Sequence, residues 1–193
     1  REKYPNSATC IHEMKDMTIG LIGFGAVARL VYEKLQVFGC RFLISDPFAS
    51  QEFVNKNIVR FVTLETLLKE SDIVSLHARL SRKSILLGEK EFAMMKPTAY
   101  FINTARSYMV DYNALAEALK NNVIMGASVD VFDKEPVDKD NPLYGLDNCT
   151  LTNHRGGDTI NSYSDSPAAM MHEAQEYFEG GLPRYWINKE VKR

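Results

Sequence analysis

The run Met17-Thr18-Ile19-Gly20-Leu21-Ile22-Gly23-Phe24-Gly25-Ala26-Val27-Ala28 passes from an apolar strand pattern, through two closely spaced glycines, into a segment with apolar residues at helical spacing. A strand that enters a helix through so short a turn is the first half of a strand-helix-strand unit. Outward from it, the same alternation continues. Short apolar runs rich in β-branched residues fall at 17–23, 41–45, 58–62, 72–76, 99–103, 124–129 and 149–152. Between most of them lie segments with apolar residues three and four apart, at 26–38, 64–69, 89–95 and 111–121. Asp111 is placed to cap the last of these. A later one, 166–178, has Pro167 near its first turn and stops at Gly180-Gly181. Strand and helix alternating in this order predict right-handed crossovers and a doubly wound parallel α/β sheet covered on both faces.

At 193 residues with 45% hydrophobic content, the chain can bury a sizeable core as one large domain. Lys and Arg number 23 against 25 Asp and Glu, a formal net charge of -2, and no long basic run offers a footprint for nucleic acid. Cys10, Cys40 and Cys149 are widely separated, which suits a reducing cytosol better than a disulfide framework. No apolar stretch reaches the ~18 residues that span a bilayer, so the reading is a cytoplasmic protein without a membrane partner. We expect a polar lead-in at 1–16, a nucleotide-binding domain at 17–180 and a return segment at 181–193. The apolar cluster Tyr185-Trp186-Ile187 in that segment calls for a surface to cover it.

The turn at Gly23 and Gly25 matches a dinucleotide fingerprint, in which the first glycine permits the tight turn and the second lets the backbone approach a pyrophosphate. Ala26 and Val27 open the helix on whose N-terminus the pyrophosphate would lie. Ala28 stands at the third glycine's place and still allows close packing. Asp46, at the end of the second run, is where a carboxylate accepts from the ribose hydroxyls and repels a 2'-phosphate. These residues together predict NAD. The rival ligand for such a turn is S-adenosylmethionine.

Three residues far apart complete the chemistry. Arg106 follows the run at 99–103, and its planar fork suits a carboxylate in two hydrogen bonds. His154 follows the run at 149–152 and precedes Gly156-Gly157; an imidazole, with an ordinary pKa of about 6.5, exchanges a proton near neutrality. Glu135 lies in a polar loop before Pro136, and a carboxylate beside an imidazole favours its protonated form. Each alone also reads as an ordinary surface Arg, structural His or solvated Glu. Together they suit a 2-oxo acid that gains a proton.

The wording around these residues resembles the D-isomer-specific 2-hydroxyacid dehydrogenases. The resemblance covers 18–181: Gly-Leu-Ile-Gly-Phe-Gly at 20–25, Ser-Asp-Pro-Phe at 45–48, Met-Lys-Pro at 95–97, Ile-Asn-Thr-Ala-Arg at 102–106 and Val-Asp-Val-Phe-Asp-Lys-Glu-Pro at 129–136. It implies that Arg106 holds the substrate carboxylate and carbonyl, that His154 is the general acid/base, and that Glu135 is its partner. It further implies a Rossmann-type NAD-binding domain in which His77 lies at the cofactor cleft and Thr104 and Asp130 face the nicotinamide end. Asp130 would there accept from the carboxamide. A homodimer and a small 2-hydroxy or 2-oxo acid substrate are expected on the same ground.

Three stretches depart from the family pattern. Arg79 stands where proline is usual, Ser107-Tyr108 replace the common paired glycines after Arg106, and Arg155 adds a positive charge after the histidine, which we read as facing solvent. The family's substrate domain, built from both chain ends, is largely absent from this sequence, and the segment 185–191 resembles the return towards it. Another class compatible with the resemblance is an NAD(H)-binding regulatory or scaffold protein of corepressor type. Turnover separates the two.

Overall fold

Residues 19, 21, 42 and 44 are buried on one side of the molecule and residues 22 and 43 on the other, the period-two signature of strands covered on both faces. The structure, a computed structural model, describes residues 12–50, 52, 54–80, 82–182 and 184. Seven strands, β1 (Thr18–Ile22), β2 (Arg41–Ser45), β3 (Val59–Phe61), β4 (Ile73–Leu76), β5 (Tyr100–Asn103), β6 (Gly126–Val129) and β7 (Cys149–Leu151), form one sheet in the order β3-β2-β1-β4-β5-β6-β7. Every pairing in it is parallel. The expected runs therefore become strands, trimmed at their ends.

Parallel neighbours require crossovers. The helices are α1 (Ala26–Leu35), α2 (Leu64–Glu70), α3 (Glu89–Phe92), α4 (Tyr112–Lys120) and α5 (Ile160–Phe178). Of these, α1–α4 lie in four of the crossovers, irregular chain forms the β2–β3 and β6–β7 connections, and α5 follows the last strand. α1 closes one face over Ile19, Leu21, Phe42 and Ile44, with Tyr32 edge-on to Phe42 at 5.0 Å between ring centroids. Leu67 and Leu68 of α2, Phe92 of α3 and Leu115 and Leu119 of α4 cover the other face. Each such aliphatic side chain, wholly buried, contributes about 1.5–3 kcal/mol.

Asp111 caps α4 as expected, accepting from the backbone N–H of Asn113 at 2.9 Å and of Ala114 at 3.2 Å. Three helices differ from expectation. The segment 26–38 is α-helical only to Leu35 and ends in a 3₁₀ turn at Gln36–Phe38, and α3 stops at Phe92. The last helix starts six residues earlier than Ser166, so Pro167 lies inside it rather than near its first turn. Its true start is set by Thr159, whose hydroxyl accepts from the Ser162 N–H at 3.1 Å while Ser162 Oγ accepts from the Thr159 N–H at 3.2 Å.

The chain divides into two compact units, 1–154 and 155–193. The sheet and α1–α4 belong to the first, α5 to the second. Cys40 is a buried free thiol and Cys149 a half-buried one. Cys10, the lead-in before residue 12 and the cluster at 185–187 lie outside the described residues. Among those described, no helix is long and apolar enough to cross a membrane.

Candidate active site

All seven strands run the same way, so their C-terminal ends share one edge, and a crevice opens where chain connections depart in opposite directions from β1 and β4. At the end of β1, Gly23 has φ +86°, and a Cβ placed on it would lie 2.6 Å from the backbone of Ala78. Only glycine fits there. Gly25, by contrast, has open space where a Cβ would be, in front of the first N–H groups of α1. This gap beside a helix N-terminus suits a pyrophosphate in hydrogen-bonding reach of the backbone.

Asp46 closes the turn from the end of β2. Its Oδ2 accepts from the Phe24 N–H at 2.7 Å and its Oδ1 from the Phe48 N–H at 2.8 Å. The acid expected to meet a ribose thus also holds the glycine turn in shape. A carboxylate has about four lone-pair sites, so both tasks are compatible.

Across the crevice, a cleft of about 530 Å³ is lined by Val27, His77, Arg79, Thr104, Arg106 and Tyr108 among others. His77 Nε2 lies 2.9 Å from Ser75 Oγ, and burial pushes the imidazole below its ordinary pKa. Burial thus favours the uncharged ring. Thr104 and Arg106 are exposed, and the Arg106 Nη1 donates to its neighbour Ala105 O at 2.7 Å.

The turn that presents Arg106 is built from a buried amide. Asn103 is fully buried; its Oδ1 accepts from Ala105 N at 3.0 Å, and its Nδ2 donates to Arg106 O at 3.2 Å and to the Tyr112 hydroxyl at 3.1 Å. The Tyr112 hydroxyl in turn donates to Val131 O at 2.6 Å, and burial pushes its pKa well up. Ser107 Oγ donates to Asp133 at 2.7 Å. These bonds lash the loop after β5 to the loop after β6.

That second loop carries Glu135. Its Oε1 accepts from the Phe132 N–H at 3.0 Å, and its carboxylate meets His154 Nδ1 at 2.9 Å. The Phe132 N–H and then the imidazole hold the Glu135 carboxyl below its ordinary pKa. His154 sits at φ +53°, a left-handed backbone held by its N–H donating to Asp130 O at 2.7 Å. Asp130 itself is buried, and its Oδ1 accepts from the Thr152 hydroxyl at 2.5 Å.

The structure therefore brings His154 and Glu135 into contact and sets Arg106 on the neighbouring strand end. His77, Thr104 and Val27 share the cleft with Arg106, while Gly23, Gly25, Ala26 and Asp46 form the adjoining turn. Arg155 faces solvent as expected, its side chain 71% exposed, and there pairs with Asp158. Sequence reasoning missed the supports: Tyr112, Ser75, Thr152 and the Ser107–Asp133 pair. For Asn103 a signal existed, because an amide ending a buried apolar run must find partners inside.

The model of the D-isomer specific 2-hydroxyacid dehydrogenase NAD binding domain matches residues 1–156. A glyoxylate reductase of Korarchaeum cryptofilum is 34% identical over 181 residues, covering 93% of this chain and 54% of that protein. An (S)-sulfolactate dehydrogenase of Chromohalobacter salexigens is 37% identical over 162 residues, 83% of this chain and 52% of that protein. Among solved structures, D-lactate dehydrogenase with NAD+ from Lactobacillus jensenii superposes with TM-score 0.85 at 28% identity, over 99% of this chain and 60% of that one. The chain thus spans about half the length of the curated relatives it matches.

Proposed function

We propose, from the premise that this chain belongs to the D-isomer specific 2-hydroxyacid dehydrogenase family through its NAD-binding domain, that it serves an oxidoreductase exchanging hydride between NAD(H) and a 2-hydroxy acid/2-oxo acid pair. The observation that carries this reading is the 2.9 Å contact between Glu135 and His154 Nδ1 at the sheet edge that also holds the glycine turn. With Nδ1 turned to the carboxylate, Nε2 is the nitrogen left to exchange a proton with substrate. Glu135 stabilises the imidazolium, so His154 donates to the keto oxygen during reduction and recovers the proton in the reverse direction.

Arg106, an exposed guanidinium that cannot lose its proton, pairs with the substrate carboxylate and turns the keto carbon towards the cleft. Orientation of this kind is worth up to ~7–11 kcal/mol of the barrier. The bound dinucleotide supplies the hydride. Gly23 and Gly25 give it room, the N–H groups of Ala26 and Val27 face its phosphates, Asp46 selects the unphosphorylated ribose, and His77, Thr104 and Asp130 lie towards its nicotinamide end. The same reading includes the division at residues 16 and 180, a homodimer and a cytoplasmic location.

Direct titration tests it. The protein should bind NADH saturably and NADPH weakly, and with substrate-domain chain present should reduce glyoxylate or a related 2-oxo acid. Arg106→Ala should abolish most of that reduction with NADH affinity intact. A well-folded protein with NADH affinity and no turnover on any 2-oxo acid would favour the corepressor-type reading instead.

A further inference from the structure

A dinucleotide's pyrophosphate brings two negative charges to the glycine turn, whereas the N-terminus of α1 offers only about half a positive charge. No side chain in the first turn of α1 makes up the difference. The nearest basic residue on that helix, Arg29, is turned back on the strand end, with Nε donating to Phe24 O at 3.2 Å and its guanidinium 5.8 Å from the Phe24 ring. A cation must come from elsewhere if the diphosphate is to be neutralised.

Arg79 is that cation. It follows Ala78, the residue whose backbone packs against Gly23, so the chain after β4 touches the glycine turn one residue before Arg79. Its side chain lines the same cleft as Val27, from the first turn of α1. Arg79 is exposed and makes no ion pair with a carboxylate among the described residues. Among the described residues, no Asp or Glu lines that cleft. One residue on, the Leu80 carbonyl is reached by the Tyr108 hydroxyl at 3.5 Å, so the loop bearing Arg79 is held on both sides.

We infer that Arg79 clamps the diphosphate of the dinucleotide across the crevice from the α1 N-terminus, with Tyr108 positioning its loop. The inference rests on the dinucleotide reading above and assigns the diphosphate a side-chain partner outside the glycine turn. A planar, permanently charged fork suits two phosphate oxygens. Lysine would supply the charge without the fork.

The test is calorimetric titration of the wild-type protein, Arg79→Ala and Arg79→Lys with NADH, ADP and adenosine, at low and high salt. Arg79 is exposed and has no ion-pair partner among the described residues, so each variant should melt with the wild type. Arg79→Ala should weaken NADH and ADP roughly tenfold or more, leave adenosine unchanged, and flatten the salt dependence of NADH binding; Arg79→Lys should recover part of the loss. Equal NADH and ADP affinities in wild type and Arg79→Ala would overturn the inference alone. A folded wild-type protein that binds neither NADH nor ADP would sink the dinucleotide reading and this inference with it.

Discussion

Gly23 and Gly25 stand two residues apart in one turn, and the structure predicts opposite consequences for adding a methyl group to each. At Gly23 an alanine must adopt φ +86°, which costs an L-residue roughly 1–2 kcal/mol. Its Cβ must also enter space 2.6 Å from the Cα and N of Ala78, backbone atoms that follow His77, whose N–H is tied to Ile22 O at 2.8 Å, and that cannot swing away as a side chain would. Overpacking of this kind costs typically 1–3 kcal/mol. The sum, about 2–5 kcal/mol, is a large share of a domain's stability and lowers Tm by roughly 4–20 °C at this size. At Gly25 the backbone is extended and the Cβ meets nothing within 4 Å, so Gly25→Ala should stay within about 1 kcal/mol of wild type. That methyl instead occupies the gap in front of the helix N-terminus, and NADH affinity should fall at least tenfold. Paired urea melts and NADH titrations of the two variants decide the matter. Comparable stability loss in both, or wild-type NADH binding by Gly25→Ala, would refute the division of labour between the two glycines.

Tyr112→Phe should cost about 1–3 kcal/mol in urea unfolding, because it leaves Val131 O and one Asn103 amide proton without their partner in a buried site; an unchanged midpoint would remove this network from the account of the Arg106 turn. Glu135 has its carboxyl pKa held below the ordinary 4.5 in the folded state, so the stability it contributes is present above that pH and is lost as pH falls through the lowered value. The Tm of wild type should therefore exceed that of Glu135→Gln above pH 5, and the two should converge in stronger acid; a gap that widens on acidification contradicts the assignment. Asp46→Asn keeps one carbonyl oxygen for the glycine turn but loses the negative charge, so it should narrow the preference for NADH over NADPH while the protein stays folded. An unaltered preference removes Asp46 from cofactor selection.

Much of this architecture is written in local periodicity. The β-branched runs and the amphipathic segments between them determine seven strands and their crossovers, because alternation of period two and of about 3.6 is a property of neighbouring residues and needs no knowledge of the rest of the chain. The glycine turn was equally legible, since a strand, two glycines and a helix in succession constrain the backbone directly. The start of α5 was not, because its cap pairs Thr159 with a serine rather than a glutamate, and Pro167 looks like a first-turn residue until the preceding turns are seen.

Tertiary structure alone decided what the chemistry-bearing residues touch. Glu135 and His154 lie far apart in sequence, and they meet because β6 and β7 are parallel neighbours whose ends deliver both loops to one place. Asp46 appeared from sequence to have one task, yet its carboxylate also ties down the Phe24 N–H, a contact that exists only once β2 lies beside β1. Arg79 and Tyr108, two unrelated departures from a family pattern, turn out to belong to one wall of one cleft. Hydrogen bonds between distant segments depend on strand order and loop path, which the packing of the whole sheet settles and no short stretch of residues encodes.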